Sequence, residues 1–230
     1  MRRAITPELL DTDAGTPAEI AASLADLRRI NRWFGGIATT QAMIEDLSRR
    51  LNTCSFTLLE VAAGSGDVPS IAAQRLQDRG IHLNVTLLDR APSHLQAGIS
   101  NQRPSEIRAV VGDASALPFP ESSFDVVDSG LFAHHLTPAQ VVQFVDEGLR
   151  VCRRAVLIND LVRHPLHLAF VYAGLPFYRS RLTRNDAPAS VRQAYTIKEM
   201  LELLGKTQAA KAEIQPHYLF RMGAIAWKES

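Results

Sequence analysis

The chain has 230 residues, of which 46% are hydrophobic and 21% charged, a balance typical of a globular domain rather than of a disordered chain. Its 25 basic residues offset 24 acidic ones, and the resulting net charge of +1 gives no electrostatic reason to expect a nucleic acid or an acidic membrane as a partner. No apolar stretch reaches the roughly 20 residues that a membrane span requires. We therefore expect a cytoplasmic protein with no nucleic-acid partner and no membrane span.

The first 52 residues predict two helices that cover one side of the remaining fold. Thr16-Pro17-Ala18-Glu19 has the sequence of a capping box with proline in the first turn. Apolar residues then recur at helical spacing until Gly35-Gly36, which end the helix, and a second helical pattern runs to Leu51. Neither pattern belongs to the alternation that follows, so residues 1–52 are interpreted as a helical cover.

From Phe56 the sequence alternates short apolar runs with amphipathic segments. The apolar runs, which are typical of strands, are Phe56–Val61, Leu83–Leu88, Ile107–Val111, Phe124–Asp128 and Ala155–Ile158. The segments between them that predict helices are Val68–Asp78, Pro92–Ser100 and Pro138–Val151. Strand–helix alternation predicts a parallel sheet, and short, fully apolar strands are those of a sheet buried on both faces.

The C-terminal third predicts a long insertion followed by a helix and two strands. His164 to Pro188 is read as a loop rich in Leu, Phe, Tyr and Arg, and residues 163–190 as a lid insertion. Thr196–Leu204 predicts a helix, and Ala212–Ile214 and Tyr218–Trp227 have strand character, so residues 196–230 complete the sheet. The predicted fold is a single α/β domain: a Rossmann-like, seven-stranded, mostly parallel sheet with helices on both faces.

The segment from Leu58 to Asp67 predicts the ligand-binding loop, because a buried strand there ends in small residues that lead into a helix. Gly64 and Gly66 allow a positive φ and leave no side chain between the backbone and a ligand. A ligand can then lie against the loop and the first turn of the helix.

Three carboxylates are predicted to converge beyond the carboxyl ends of successive strands, where ligands bind in open α/β sheets. Glu60 ends the first strand, Asp89 ends the second about 20 residues on, and Asp113 follows the third. With no arginine or lysine in the first loop, this edge suits a cationic ligand better than a pyrophosphate. S-adenosylmethionine, which carries a sulfonium and an ammonium and no phosphate, is such a ligand.

The stretch from about Phe56 to Asp160 resembles class I S-adenosylmethionine-dependent methyltransferases. LLEVAAGSGD resembles their first motif, LLDRAPSHL their second, and VVGDASALPFPESSFDVVDSGLFAHHL the stretch from the adenine-contacting acid through the fourth strand. The resemblance is closest to the small-molecule branch that includes the ubiquinone and menaquinone biosynthesis methyltransferases. It implies that Glu60 and Gly64 contact the methionine end, Asp89 the ribose, and Asp113 with Ala114 the adenine.

Four further residues are assigned to the same cofactor site, namely Ala62, Gly66, Arg90 and Ser129. Ala62 is a departure from the resembled family, which usually has glycine at that place. Because alanine is the smallest alternative, we expect binding to be kept with a locally different backbone.

Catalytic candidates follow the fourth and fifth strands. His134 and His135 precede Thr137-Pro138-Ala139-Gln140, which has the sequence of a capping box opening a helix. The positive potential of a helix N-terminus is expected to lower a histidine pKa and keep the imidazole neutral, the form that accepts a proton. The alternative is that one or both histidines only pack or cap. Asp160 is expected to orient a substrate hydroxyl or a histidine such as His164, or else to cap the next segment.

The expected acceptor pocket combines aromatic residues of the lid with the helical cover. Phe170, Tyr172, Phe177 and Tyr178 of the insertion are expected to meet Trp33 and Phe34, or alternatively to form plain core. Trp33, Phe34, His164 and Tyr178 are the predicted substrate-binding residues. A hydrophobic lid excludes water and shapes a pocket for a small aromatic or polyketide-type acceptor.

The predicted function is O- or C-methylation of a small molecule by a monomer or homodimer that needs no metal ion. One alternative is a nicotinamide-dependent oxidoreductase, which the missing third glycine and the acid at Asp67 disfavour. The other is a non-catalytic S-adenosylmethionine-binding protein, for which Ala62 is the one hint.

Overall fold

The computed structural model describes residues 1–12, 15–99 and 107–229, and the side chains of Thr12 and of residues 97–99 are left out of the description. Seven strands form one sheet in the order β3-β2-β1-β4-β5-β7-β6. They are β1 Ser55–Val61, β2 His82–Asp89, β3 Arg108–Val111, β4 Phe124–Gly130, β5 Cys152–Leu161, β6 Lys211–His217 and β7 Arg221–Trp227.

The first five strands are parallel, and the last two run antiparallel to them. Strand order reverses between β1 and β4, because the chain moves outward from β1 through β2 to β3 and then returns to β4 on the other side. The crevice at such a reversal is where open α/β sheets bind their ligands. The topology therefore places the loops after β1 and β4 at the predicted site.

Eight α-helices surround the sheet within the described ranges. They are α1 Pro17–Trp33, α2 Gly36–Leu51, α3 Asp67–Gln77, α4 Pro92–Ile99, α5 Pro138–Val151, α6 Pro165–Gly174, α7 Arg181–Gln193 and α8 Ile197–Leu204. The predicted capping boxes at Thr16 and Thr137 both form, and Thr196 makes a third at the start of α8. In each one the threonine hydroxyl accepts a backbone N–H of the first turn, which fixes where the helix begins.

Alternating side chains of the central strands build a core on each face of the sheet. On one face, Val127, Val156 and Ile158 belong to a buried cluster that includes α5 and α8. On the other face, Leu58, Val126 and Leu157 belong to a cluster that includes α2 and α3. Burial on both faces explains why the strands read as continuous apolar runs. None of the described helices is both long enough and apolar enough to cross a bilayer.

The structure corrects three details of the predicted elements. The segment His164 to Pro188 is not a loop but contains α6, a 3-10 turn and most of α7. Tyr218–Phe220 forms a turn with left-handed backbone at its last two residues, so β7 begins at Arg221. The fifth strand is longer than predicted at both ends. Ser100, the predicted end of α4, lies outside the described residues.

Candidate active site

A cleft of about 540 Å³ opens beyond the carboxyl ends of β1, β2, β3 and β4. The loops that follow these strands form its floor, α1 and the N-terminal segment close one side, and α6 and α7 contribute to the far end. Predicted cofactor residues that line it are Glu60, Ala62, Gly64, Asp89, Arg90, Asp113 and Ala114. The fold therefore brings these seven predicted residues together at one cleft.

The loop after β1 turns sharply through three residues of left-handed backbone. Ala62, Gly64 and Gly66 have φ values of 56°, 55° and 70°. A Cβ on Gly64 would meet nothing within 4 Å, so this glycine leaves the cleft floor open, whereas a Cβ on Gly66 would lie 2.4 Å from Leu87. Gly66 does not line the cleft, and its role is to let α3 start close against β2. Ala62 occupies a conformation that costs an L-residue about 1–2 kcal/mol.

Asp89, at the end of β2, is held in place by the loop beside it. Its carboxylate accepts hydrogen bonds from the backbone N–H groups of Gly64 at 2.7 Å and Ala91 at 2.9 Å. The carboxylate is buried but lines the cleft. The adjacent Arg90 reaches the N-terminal segment, where its guanidinium donates to the Asp11 carbonyl at 2.9 Å.

Asp113 lies exposed at the edge of the cleft, in the turn after β3. Its carboxylate accepts both the backbone N–H and the hydroxyl of Ser115, each at 2.7 Å. These hydrogen bonds hold the pKa of Asp113 below its usual value, so the group is ionised at neutral pH. Ala114 follows on the cleft wall.

Glu60 and Asp128 form a buried pair of carboxyl groups on the neighbouring strands β1 and β4, where they occupy the same register position. Glu60 Oε2 and both Asp128 side-chain oxygens lack a hydrogen-bond partner of normal geometry among the described residues. Burial and the Asp128 charge raise the pKa of Glu60 well above its usual value. Burial raises the pKa of Asp128 to about 7. The pair therefore retains a proton near neutral pH, and a cation in the cleft would favour its ionised form.

His134 is buried between two carboxylates. Its Nδ1 lies 2.7 Å from Asp160 Oδ1 and its Nε2 lies 3.6 Å from Glu8 Oε1. Although burial opposes the charge, these two acids raise the pKa of His134 to about 10. The expected lowering by the α5 N-terminus is therefore wrong for this residue, because two nearby acids outweigh the partial charge of a helix end. His134 is an imidazolium at neutral pH and has no free site to accept a proton.

His135 lines the cleft and has a different environment. Its side chain is 20% exposed, and its Nδ1 lies 2.8 Å from Asp11 Oδ2. Burial raises the Asp11 pKa, but the hydrogen bond to His135 and the nearby positive charges together outweigh burial, so the net effect is a lowered pKa and an ionised Asp11. An ionised acid at Nδ1 favours the tautomer with its proton on Nδ1, which leaves Nε2 as the acceptor.

The far end of the cleft is lined by polar groups that the sequence did not single out. The Arg221 guanidinium is buried and donates to Asn31 Oδ1 at 2.7 Å, Asn159 Oδ1 at 3.2 Å and the Phe34 carbonyl at 3.0 Å. Burial lowers the Arg221 pKa to about 10, so it stays charged at neutral pH. Tyr178 also lines this end, as predicted.

Several predicted site residues do not line the cleft. Ser129 is fully buried in β4, and Asp160 lies behind His134, to which it is hydrogen-bonded. Trp33 and Phe34 are 71% and 50% exposed on the outer surface, because the side of α1 that faces the cleft presents Leu27 and Ile30 instead. His164 caps α6 through Nδ1, which accepts the Leu166 N–H at 3.2 Å.

Sequence reasoning missed contributions that depend on long-range contacts. Glu8, Asp11 and Asn31 come from the N-terminal segment and α1, and Arg221 from the last strand. An acid at position 128 within an otherwise apolar strand was the one local signal that could have identified the Glu60 partner.

Glu8, His134 and His135 are a group of described residues with metal-binding side chains whose ligand atoms lie within 4.8 Å of one another. However, Glu8 Oε1 already accepts hydrogen bonds from Ser190 and Gln193 at 2.6 Å. Glu8 is therefore already hydrogen-bonded, and His134 is positively charged. Both facts favour an ion-pair network within the protein over a cation-binding site.

Comparison with known proteins agrees with this geometry. Residues 58–155 match the family model described as a methyltransferase domain. The ubiquinone/menaquinone biosynthesis C-methyltransferase UbiE of Methylobacterium nodulans is 40% identical over 123 residues, which cover 50% of this chain and 47% of that protein. The chain spans about half the length of the first curated relatives it matches.

Solved methyltransferases share the fold at low sequence identity. An S-adenosylmethionine-dependent methyltransferase of Aquifex aeolicus superposes with a TM-score of 0.55 at 13% identity, covering 80% of this chain and 89% of that one. Human N-acetylserotonin methyltransferase, solved with S-adenosylmethionine, gives 0.57 at 14% identity, with 76% and 48% covered. At these identities the likeness concerns the fold.

The fold is that of solved S-adenosylmethionine-dependent methyltransferases, and residues 58–155 carry the match to the methyltransferase domain model. Over about half of its length the chain is similar to ubiquinone/menaquinone biosynthesis C-methyltransferases. The names of both solved structures give S-adenosylmethionine as their cofactor or ligand. Three of the four carboxyl oxygens of Glu60 and Asp128 lack a hydrogen-bond partner of normal geometry among the described residues, which suits the ammonium and sulfonium of such a ligand.

Proposed function

We propose that this protein transfers a methyl group from S-adenosylmethionine to an oxygen or carbon atom of a small aromatic or polyketide-type acceptor. The observation that carries the proposal is the cleft lined by Glu60, Asp89 and Asp113 at the ends of three successive strands. We place the protein in the cytoplasm as a monomer or homodimer that acts on a small molecule and not on nucleic acid.

Each carboxylate of the cleft has a part of the cofactor that fits it. Glu60, backed by Asp128, suits the ammonium of the methionine portion, because the pair is buried and three of its four oxygens lack a partner of normal geometry among the described residues. Asp89 lies where a carboxylate can accept the ribose hydroxyls, and the exposed edge at Asp113 and Ala114 suits the adenine. The open space at Gly64 lets the ligand lie directly on the loop.

When bound, the cofactor supplies an electrophilic methyl group on a positively charged sulfur. Transfer of that methyl group to an acceptor would be a direct displacement. Most of the rate gain in such a displacement comes from holding the acceptor in line. Leu131, Phe132, Asn159 and Tyr178 line the cleft beyond the loop and form the walls that would position an acceptor ring.

His135 is the residue that would take the acceptor proton. It lines the cleft, and Asp11 holds its Nδ1 side so that Nε2 remains an acceptor. A phenol has a pKa near 10, so its attack benefits from a base placed close to the hydroxyl. His134, as an imidazolium bound to Asp160, instead fixes the backbone from which His135 projects. Asp160 thereby positions this turn without touching the acceptor.

The proposal is tested by incubating the protein with methyl-labelled S-adenosylmethionine and a panel of phenols, hydroxyquinones and polyketides, and analysing the products by mass spectrometry. We expect a labelled product from at least one phenolic or enolic acceptor and none with Asp89→Ala, which loses the ribose contact. Consumption of the donor that Asp89→Ala leaves unchanged would contradict the proposed site.

A further inference from the structure

Helix α6 is composed almost entirely of apolar residues, and yet none of them is buried. Its sequence, PLHLAFVYAG, contains no charged residue other than a titratable histidine, and each of its ten residues is half-buried or exposed. An apolar helix normally packs against the core on the side that its apolar residues define. The described residues of this chain therefore leave the apolar surface of α6 largely uncovered.

Exposed apolar side chains from three parts of the chain surround this helix. The part of the chain that the structure describes has eleven large hydrophobic side chains exposed, and seven of them belong to this region. We call these seven the apolar rim: Trp33, Phe34, Leu166, Phe170, Tyr172, Phe177 and Tyr218. Exposed apolar residues that cluster in this way mark an interaction surface, whereas scattered ones are ordinary.

Direct contacts join the three parts of the rim. The ring centroids of Phe170 and Phe220 are 6.1 Å apart, and Phe220 lies in the turn that also carries Tyr218. The Arg29 guanidinium, one helical turn before Trp33, donates to the Phe177 carbonyl at 3.3 Å. These contacts bring the end of α1, the α6 region and the β6–β7 turn together.

The rim surrounds the far end of the cleft, where the acceptor is proposed to bind; we call this the acceptor end. His167 and Val171, on α6, line the cleft, while Leu166 and Phe170 of the same helix are exposed. In α1, Leu27 and Ile30 line the cleft, and Trp33 lies at the exposed end of the helix. A partner that covers the rim would therefore lie at the opening through which an acceptor enters.

The charge of these segments is strongly asymmetric, although the chain as a whole is nearly neutral. Residues 27–34, 162–184 and 217–221 contain eight arginines and no aspartate or glutamate. Acids outside these ranges form ion pairs with four of the eight, namely Arg28, Arg29, Arg163 and Arg181. Three of these arginines are exposed and have no carboxylate within ion-pair distance among the described residues, namely Arg32, Arg179 and Arg184. A surface that joins exposed aromatic and aliphatic groups to unpaired arginines is complementary to the interface of an anionic bilayer.

We infer that the apolar rim and the arginines beside it form a membrane-docking surface, which holds the mouth of the cleft against the headgroups of an anionic lipid bilayer. The apolar side chains would enter the boundary between headgroups and acyl chains, while the arginines would contact lipid phosphates. Docking of this kind needs no membrane-spanning helix.

A second copy of the chain is a poorer partner for this surface. In a symmetric dimer the same patch meets itself, so the arginines of one copy would approach the arginines of the other. No acid within the rim segments could offset that repulsion. An anionic bilayer meets both the apolar and the cationic groups, which is why we favour it.

The experiment is co-sedimentation of the full chain with phosphatidylcholine vesicles, with and without phosphatidylglycerol. We expect binding to the anionic vesicles that weakens as salt is raised, and much weaker binding to phosphatidylcholine alone. Phe177→Ser and Phe170→Ser should each weaken binding by about tenfold, and Arg179→Gln by about fivefold. Because these side chains are exposed, circular dichroism should show unchanged folding.

Matched controls lie elsewhere on the surface. Leu201, 47% exposed on α8, and Arg154, exposed near the start of β5, match the rim side chains in character but lie outside the rim. We expect Leu201→Ser and Arg154→Gln to bind anionic vesicles like the wild type. Absence of vesicle binding, or equal loss in rim and control variants, would overturn the inference. So would a dimer that Phe177→Ser dissociates in the absence of lipid. Binding of S-adenosylmethionine, measured separately, tests the proposed function and does not depend on these outcomes.

Discussion

Glu60 and Asp128 are the residues whose charge state depends most directly on the bound cofactor. Both carboxyl groups have raised pKa values, because burial disfavours their ionised forms. The pair thus binds more protons in the folded protein than in the unfolded chain between the usual carboxyl pKa and about 7. Stability due to this pair is present at low pH and is lost as pH rises through that range.

Cofactor affinity should depend on pH in the opposite direction. A cation beside the pair favours ionisation, so S-adenosylmethionine must displace a proton at low pH and none at high pH. We expect its dissociation constant, measured by calorimetry, to fall as pH is raised through about 7. Asp128→Asn should flatten this dependence. A dissociation constant that rises with pH would contradict the assigned role of the pair.

His135 is expected to affect turnover and not cofactor binding. A positioned base contributes about 10²- to 10⁴-fold, so His135→Ala should lower kcat by that order while the dissociation constant of S-adenosylmethionine stays the same. Asp11→Asn should lower kcat less and leave KM for the acceptor nearly unchanged, as expected of a positioning residue. His82→Ala, at the exposed start of β2 and outside the cleft, is the matched control. Normal turnover by His135→Ala would show that another group takes the proton.

Ala62 is strained where glycine would not be. Its φ of 56° costs an L-residue about 1–2 kcal/mol, and glycine would remove this strain. Glycine also increases the conformational entropy of the unfolded chain, which offsets part of the gain in stability. We expect Ala62→Gly to raise the free energy of unfolding by up to about 1 kcal/mol, measured by urea denaturation. Destabilisation of that size would mean that the Ala62 methyl group makes a contact that outweighs the strain.

Local sequence patterns identify the cleft residues at the strand ends but not those that come from distant segments. Glu60, Gly64 and Asp89 follow apolar runs at fixed spacing, so the topological rule places them at one edge. Asp11 and Arg221 reach the cleft only through folding of distant segments, and no local pattern marks them. The pKa of His134 depends on Glu8 and Asp160, which likewise lie far apart in the sequence.

At the scale of elements, the strands and helices that the sequence predicts best are those whose apolar residues are buried. The central strands are apolar because both faces of the sheet are covered, and this signal located each of them. Helix α6 gave no amphipathic signal, since it is apolar all round, and α7 contains Pro188 within the helix. Because proline normally argues against a helix interior, the local sequence around Pro188 does not predict α7.

The cap of α5 should contribute measurably to stability. Thr137 accepts the Gln140 N–H, and the Gln140 side chain accepts the Thr137 N–H in return. We expect Thr137→Ala to lower the free energy of unfolding by about 1 kcal/mol in urea denaturation, because the first turn of α5 loses a hydrogen-bond acceptor. Thr137→Ser keeps the hydroxyl and should retain most of the stability. Equal losses in both variants would indicate that the threonine methyl, not the cap, matters.

At the scale of the whole molecule, averages conceal the distribution of charge. The net charge of +1 argued against an acidic surface as partner, yet the segments around the acceptor end carry arginines and no acids. Acids are instead gathered in the cleft, where Glu60, Asp89 and Asp113 lie. The fold thus separates an acidic floor from a basic, apolar rim, and only the three-dimensional arrangement shows this.

The central claim is that the carboxylates at the strand ends bind S-adenosylmethionine, and calorimetric titration tests it most directly. We predict one binding site for S-adenosylmethionine on the wild-type chain, no binding of NAD, and at least about tenfold weaker binding by Glu60→Gln, which loses a charge-assisted contact. Failure of the wild type to bind S-adenosylmethionine, or binding that Glu60→Gln leaves intact, would contradict the account.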